Sequence, residues 1–342
     1  MEKNLKIYVI SLAICLICSF KLSAQEKLHY WGDSISYLQE QASMVINEAY
    51  KNLTTYPPGT VAGNERRLAL FALDALFHDT RLDNGVAFMS YMDRAITYLS
   101  TDIRRNKPTG NEIRFYRFYN HGFIIQTPQA VIGIDLVRGG RADKPFIGEK
   151  LMRAIVELCD VLFITHAHGD HADLSVAKMF SEQGKTVVVP EEIWKESGLR
   201  LRVMRGTEMI RESVRLPEKN TTLLVQVYPG KQGNMLNNVY AITLPNGQTI
   251  MHTGDQDYSD ELVAKISSET TVDVLLVQCW MMPMDKFVSG IKPTLIITGH
   301  ENEMMHTIDH RESYWLTFRR MSGITIPYVV MAISESYLFS KL

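Results

Sequence analysis

The sequence predicts a layered α/β fold behind a helical N-terminal region, on three observations. From about Ile35 to Arg104 apolar residues recur at helical spacing. Beyond residue 111, apolar runs of strand length alternate with helical stretches, and several of those runs end on histidine or aspartate. With 342 residues, 46% of them hydrophobic, the chain can bury a large core in one domain or two. Its formal net charge of -2 supplies no basic stripe for a phosphate backbone, and no nucleic-acid-binding motif is found, so no such partner is indicated.

The first segment reads as an address. Lys3 and Lys6 precede the apolar stretch Ile7 to Phe20, and Lys21-Leu22-Ser23-Ala24 leads into Gln25. This is the pattern of a secretory leader over residues 1–24, cleaved after Ala24. A comfortable membrane span needs about 20 apolar residues, so no stable span is expected after cleavage, and the product is expected to be secreted or periplasmic. Cys15 and Cys18 fall within the leader, leaving Cys159 at a helix end and Cys279 at a strand end. Two buried free thiols are expected there in preference to a disulfide.

Residues 25–110 carry the helical pattern, clearest in Leu68 to Leu76 and Phe88 to Ile96. Tyr56-Pro57-Pro58-Gly59 and Asp83-Asn84-Gly85 interrupt it, which predicts two to four helices. An amphipathic helix must bury one face, so the region is expected to pack on the following domain, with an oligomer surface as the alternative. Asn106-Lys107-Pro108-Thr109-Gly110 connects it to a domain over residues 111–342. Strands are expected over 118–126, 130–135, 161–165, 186–189, 223–228, 239–244, 248–252, 272–277, 295–298 and 328–333, with helices between several of them.

The strand Val161 to Thr165 opens onto His166-Ala167-His168-Gly169-Asp170-His171-Ala172-Asp173. Imidazole and carboxylate suit a borderline cation such as zinc, and a catalytic site needs them on rigid backbone with one position open. His166 and His168 alternate, so both can leave one side of an extended segment. Gly169 permits a tight turn, after which Asp170 and His171 can face a second ion. Two further strands end in the same chemistry: Ile250-Met251-His252-Thr253-Gly254-Asp255 and Leu295-Ile296-Ile297-Thr298-Gly299-His300.

The set His166, His168, Asp170 and His171, followed by Asp255 and then His300, resembles the metallo-β-lactamase-fold hydrolase superfamily across about residues 115 to 335. It is closer to the lactonase and phospholipase-like branch than to the β-lactamases themselves. The resemblance implies a four-layer αββα sandwich with a one- or two-metal centre at one edge. It implies that His166 and His168 hold the first ion, that Asp170, His171 and His300 hold the second, and that Asp255 bridges them. Asp135 matches an aspartate that supports such ligands from behind.

The family usually brings a third histidine to the first ion from a loop after a proline, and here Pro229-Gly230-Lys231-Gln232-Gly233-Asn234 has none. Gln232 stands nearest the expected place, and its amide is a poorer zinc ligand than imidazole. The expected cofactor is one or two divalent ions, zinc first, with manganese or iron as alternatives. Such an ion lowers the pKa of bound water to about 7, which implies hydroxide attack on an ester, lactone, amide or phosphodiester of a small molecule. Asp170 and Asp255 are the candidate catalytic carboxylates, placed to orient that water. A non-catalytic secreted binding protein on a degenerate scaffold is the alternative. Trp280, Met281 and Met282 are expected to line an apolar wall or to pack in the core. The spacing of Glu303, His306 and His310 suits a helix that turns both histidines to one face.

Overall fold

The computed structural model describes residues 34–191, 193–205 and 209–341, so the expected leader lies outside the described residues. Among the described residues three α-helices come first: α1 (Ser34–Thr55), α2 (Asn64–Phe77) and α3 (Val86–Arg105). In α1 the buried positions Ala42, Ile46, Ala49 and Leu53 are spaced by four, three and four, one stripe of an amphipathic helix. In α3 a wider stripe from Phe88 to Ile103 is buried, and Arg104 and Arg105 place positive charge at the carbonyl end of the helix dipole.

Two seven-stranded sheets follow. The first contains β1 (Ile113–Arg117), β2 (Phe123–Gln126), β3 (Val131–Ile134), β6 (Val161–Phe163), β7 (Thr186–Val189), β8 (Arg202–Val203) and β16 (Ser336–Phe339), in the order β16-β1-β2-β3-β6-β7-β8. The second runs β15 (Tyr328–Val329), β14 (Leu295–Gly299), β13 (Val274–Gln278), β12 (Thr249–His252), β11 (Met235–Thr243), β10 (Thr221–Gln232) and β9 (Ile210–Leu216). A small ribbon pairs β4 (Gly140–Arg141) with β5 (Lys144–Pro145).

Strand alternation sorts side chains into layers. Phe115, Phe123 and Ile125 point between the sheets and meet Val225, Ile250, Leu276 and Ile297 of the other sheet. Tyr116 and Ile124, one residue away, point outward into the layer of α1, α2 and α3 together with α4 (Glu149–Leu158) and α5 (Leu174–Glu182). On the far side, α6 (Asp260–Glu269) and α7 (Met284–Ile291) cover the second sheet through Ile266, Phe287 and Val288. The result is the expected αββα sandwich, with the helical extension built into one outer layer. Each fully buried Val, Leu, Ile or Phe contributes about 1.5–3 kcal/mol, so the inter-sheet layer and the two helix–sheet layers all stabilise the fold. Arg66 of α2 ties the extension to the end of the chain. Its guanidinium pairs with both oxygens of Glu335 at 2.7 and 2.6 Å and donates to the Val330 carbonyl at 2.8 Å.

Several expected boundaries move. Of the strand expected over 118–126 only Phe123–Gln126 is strand, and residues 118–122 turn back to β1, which was not expected, with Asn120 at φ 53°. The segment 229–234 is no free loop: it forms the tip of the long β10–β11 hairpin, where Gln232 pairs with Met235. Only Tyr328 and Val329 of the last expected strand join the sheet. Cys159 and Cys279 are buried and free, as expected. Among the described residues, no helix is long and apolar enough to cross a membrane.

Candidate metal centre

The site lies at the carboxyl ends of adjacent parallel strands. Asp135 follows β3, Thr165 and His166 follow β6, Asp255 follows β12, and His300 follows β14, so four strand ends from both sheets converge on one edge of the sandwich. Two groups of donor atoms result, each with all its atoms within 4.8 Å of one another: Asp170, His171, Asp255 and His300, and His166, His168 and Asp255. In the first, His171 Nε2 lies 3.2 Å from Asp255 Oδ1 and 3.5 Å from Asp170 Oδ2. His300 Nε2 lies 3.3 Å from Asp170 Oδ2 and 3.4 Å from Asp255 Oδ2. In the second, His166 Nε2 stands 3.1 Å from His168 Nδ1 and 3.8 Å from Asp255 Oδ2. Asp255 belongs to both.

Asp135 sets the orientation of the ligands from behind. Its carboxylate accepts from Thr165 N at 2.8 Å, from Thr165 Oγ1 at 2.6 Å and from His171 Nδ1 at 2.8 Å. The Thr165 hydroxyl spends its one proton on Asp135, so its contact with His166 Nδ1 at 3.0 Å must be donated by the imidazole. Both rings therefore carry hydrogen on Nδ1 and turn Nε2 toward Asp255. Asp135 itself has φ 49° and His300 has φ 78°, conformations seldom adopted by residues with a Cβ. Such strain persists only where surrounding structure over-determines it, and here it falls on two members of the centre.

A short chain of amides fixes the shared carboxylate. Asn237 Oδ1 accepts from the Asp255 backbone N–H at 3.2 Å while its amide donates to the Thr253 carbonyl at 2.8 Å. The approach requires glycine at 254: φ is 54°, and a Cβ there would stand 2.1 Å from Asn237 Oδ1. Asn120 donates to Asp170 Oδ2 at 3.0 Å, and Gln232 Nε2 donates to Asp255 Oδ2 at 3.2 Å.

The electrostatics fit a cation. Burial works against a charge on His300, yet Asp255 and Asp170 push its pKa up to about 10, and the same carboxylates hold His171 well above the imidazole range against its own burial. Burial would likewise raise Asp170 and Asp255, but His171 and His300 outweigh it and hold both below the carboxylate range. His166 moves the other way, to about 3, through burial and the neighbouring His171. Carboxylates that keep imidazoles protonated mark a place where a metal ion exchanges with protons. His171 Nε2, His300 Nε2, Asp255 Oδ1 and Gln232 Oε1 are buried without a hydrogen-bond partner, and all belong to this cluster. The residues present thus fit a divalent ion by donor chemistry and by unsatisfied valence.

Every expected site residue is brought to this edge, Gln232 included. Asp173, the last residue of the opening motif, is not. It caps α5, accepting from Ser175 N and Val176 N. Trp280 lines the cavity over the centre, whereas Met281 is buried in the core and Met282 is exposed. No helix forms over Glu303, His306 and His310. The segment is a loop with one 3-10 turn at Ile308–His310, and it still brings His306 and His310 to the cavity. Glu303 turns inward, where Tyr119 donates to it at 2.9 Å and where burial and Asp170 push its pKa up to about 7.

Sequence reasoning missed His121. It is fully buried, with its ring centroid 4.3 Å from that of His252 and Nδ1 3.9 Å from Asp255 Oδ1. The available signal was its place beside Gly122 at a turn between two strands facing the centre.

A β-sandwich faced by helices, with strand-end imidazoles and carboxylates meeting at one edge, defines a metallo-β-lactamase-fold protein. No family model matches the chain. It is 28% identical over 252 residues to a UPF0173 metal-dependent hydrolase of Thermodesulfovibrio yellowstonii, covering 66% of this chain and 86% of that protein. In fold it is similar to Igni18, a metallo hydrolase from Ignicoccus hospitalis, with TM-score 0.51, 15% identity, and 68% and 100% of the two chains covered. It is also similar to a possible metal-dependent hydrolase from Veillonella parvula, with TM-score 0.51, 14% identity, and 66% and 98% covered. At these identities the two structures speak to fold alone. The chain thus has the metallo-β-lactamase fold and is similar in sequence to a metal-dependent hydrolase.

Proposed function

We propose that the protein is a secreted hydrolase that binds one or two zinc ions at this centre and cleaves an ester, lactone, amide or phosphodiester bond of a small molecule. The observation that carries the reading is the buried carboxylate–imidazole cage opening onto a cavity of about 600 Å³. That volume suits a small molecule. The lining is mostly polar, with His168, His306, His310, Glu312 and Arg320 beside Trp280. Export rests on the leader pattern at Lys3 to Ala24.

His171, His300, Asp170 and Asp255 would hold the second ion, and His166, His168 and Asp255 the first, with Gln232 beside it. When bound, such an ion lowers the pKa of water and stabilises negative charge developing on a carbonyl or phosphoryl oxygen. The chain's own residues do the rest. Asp255 and Asp170 accept hydrogen bonds and orient the attacking water, Asp135 fixes the imidazole tautomers, and Trp280 and His306 line the cavity above the centre.

The test combines metal analysis with a panel of 4-nitrophenyl butyrate, γ-butyrolactone, a chromogenic β-lactam and bis(4-nitrophenyl) phosphate. Turnover of at least one member is expected with zinc and not after chelation. Tight metal binding with no turnover across such substrates would favour a binding protein on the same scaffold.

The two ion positions differ in strength. The second has two imidazoles and two carboxylates, whereas the first has two imidazoles, the shared carboxylate and at best an amide oxygen. Zinc titration should therefore show one tight and one weaker site. Gln232→His is expected to tighten the weaker one by about tenfold, since imidazole is the better donor. Two equally tight sites, unchanged by the substitution, would mean that another residue completes the first position.

A further inference from the structure

The loop between β14 and α8 (Tyr314–Met321) is tied to the helical extension, and of the two imidazoles it brings to the cavity His306 is the one turned toward the centre. Arg311, in this loop, is 5% exposed. Its guanidinium donates to the Phe77 carbonyl at the end of α2 and to Asp83 Oδ1 at 2.9 Å, and also to the Met304 carbonyl at 3.2 Å and the His306 carbonyl at 2.9 Å. His78 Nε2 meets the Arg311 carbonyl at 2.6 Å. Asp74 of α2 accepts from Asn302 Nδ2 at 2.8 Å and from the backbone of Tyr314 and Trp315 at 2.8 and 2.9 Å. The loop is thus fastened at both ends to α2 and to the segment that follows it.

What this fastening presents is His306. Its Nδ1 lies 3.3 Å from the His310 carbonyl, which can only accept, so the proton is assigned to Nδ1 and the lone pair to Nε2. Nε2 points toward the centre, 3.8 Å from Asp170 Oδ2, and the ring centroid is 5.5 Å from that of His300. The side chain lines the cavity, is 38% exposed, and belongs to neither donor group. An oriented acceptor that lines the cavity and belongs to neither donor group faces whatever binds there.

We propose that His306 is a substrate-contacting residue that accepts, through Nε2, a hydrogen bond from an N–H or O–H group next to the bond being cleaved. Arg311 is the positioning residue that keeps it there. This rests on the hydrolase reading above and narrows the substrate class to molecules with a hydrogen-bond donor beside the scissile group, such as amides and hydroxy-acid derivatives.

The test needs no turnover. Zinc-loaded protein is titrated calorimetrically with acetohydroxamate, which offers oxygens to the ion and an N–H to His306, and with acetate, which offers oxygens alone. His306→Phe is expected to weaken acetohydroxamate by about 5- to 10-fold, the loss of one hydrogen bond, and acetate by less than about twofold. His306→Gln keeps an acceptor oxygen and should recover most of the affinity. Arg311→Lys should reproduce the selective loss while zinc affinity and folding are retained. On the metal-free protein, nitrogen-15 spectra should show the Nδ1–H tautomer of His306. Equal weakening of both probes, an Nε2–H tautomer, or a fall in zinc affinity in His306→Phe would each overturn the proposal. Failure of the hydrolase reading would appear separately, as absent turnover across the substrate panel with these binding differences intact.

Discussion

Asp255→Ala is expected to weaken both ion positions together and to lower turnover of any substrate by on the order of a thousandfold or more. Residues that merely orient a ligand typically contribute 10- to 100-fold to metal affinity or activity, and Asp255 is shared by both donor groups, so its loss must exceed that range. The variant also changes the pH dependence of the metal-free protein. His300 has its folded pKa raised to about 10 by Asp255 and Asp170. A raised pKa contributes stability that is fully present below the unfolded value of about 6.5 and is lost as pH rises toward 10. Without Asp255 that loss should flatten. Urea denaturation in chelator between pH 6 and 10, with zinc calorimetry at neutral pH, checks both effects. Full zinc stoichiometry together with native turnover would remove Asp255 from the centre.

What could be read from the sequence was the chemistry concentrated at strand ends. His166, His168, Asp170 and His171 lie within six residues, and Asp255 and His300 each close an apolar run, so local pattern and tertiary position coincide. Features that depend on distant partners were hidden. β1 carries Arg114 and Arg117, and Arg117 is buried against Glu301 far along the chain, a pairing with no local signature. β9 is an edge strand whose inward row Ile210, Glu212, Val214 and Leu216 is interrupted by Glu212, which blurs its apolar alternation. Glu303, His306 and His310 satisfy helical spacing, yet the Arg311 guanidinium claims the carbonyls of Met304 and His306, and the helix gives way. Amphipathic periodicity showed that the extension buries a face. Its attachment to the loop over the metal centre depends on His78 and Asp83, which lie between two helices and enter no periodic pattern.

Asp135→Asn is expected to lower stability by about 2–4 kcal/mol in the metal-free protein and zinc affinity by about 10- to 100-fold. Asparagine is the informative substitution because it keeps the volume and tolerates the left-handed conformation at φ 49°, so neither a cavity nor backbone strain confuses the outcome. What changes is hydrogen-bond polarity. The carboxylate receives three donors, from Thr165 N, Thr165 Oγ1 and His171 Nδ1, and an amide must turn its own N–H groups toward at least one of them. The residue is fully buried, so no water relieves that conflict. If the amide oxygen keeps the Oδ2 position, Thr165 N loses its acceptor. If it takes the Oδ1 position, the His171 imidazole is released to rotate and the proton on Thr165 Oγ1, which fixes His166, loses its partner. The second arrangement loosens His171 directly, and the first leaves a buried backbone N–H unpaired next to His166, both without touching an ion. Denaturation in chelator measures the first effect and zinc calorimetry the second. A variant that lost stability but bound zinc with native affinity would make Asp135 a packing residue and leave the ligand tautomers to be set elsewhere.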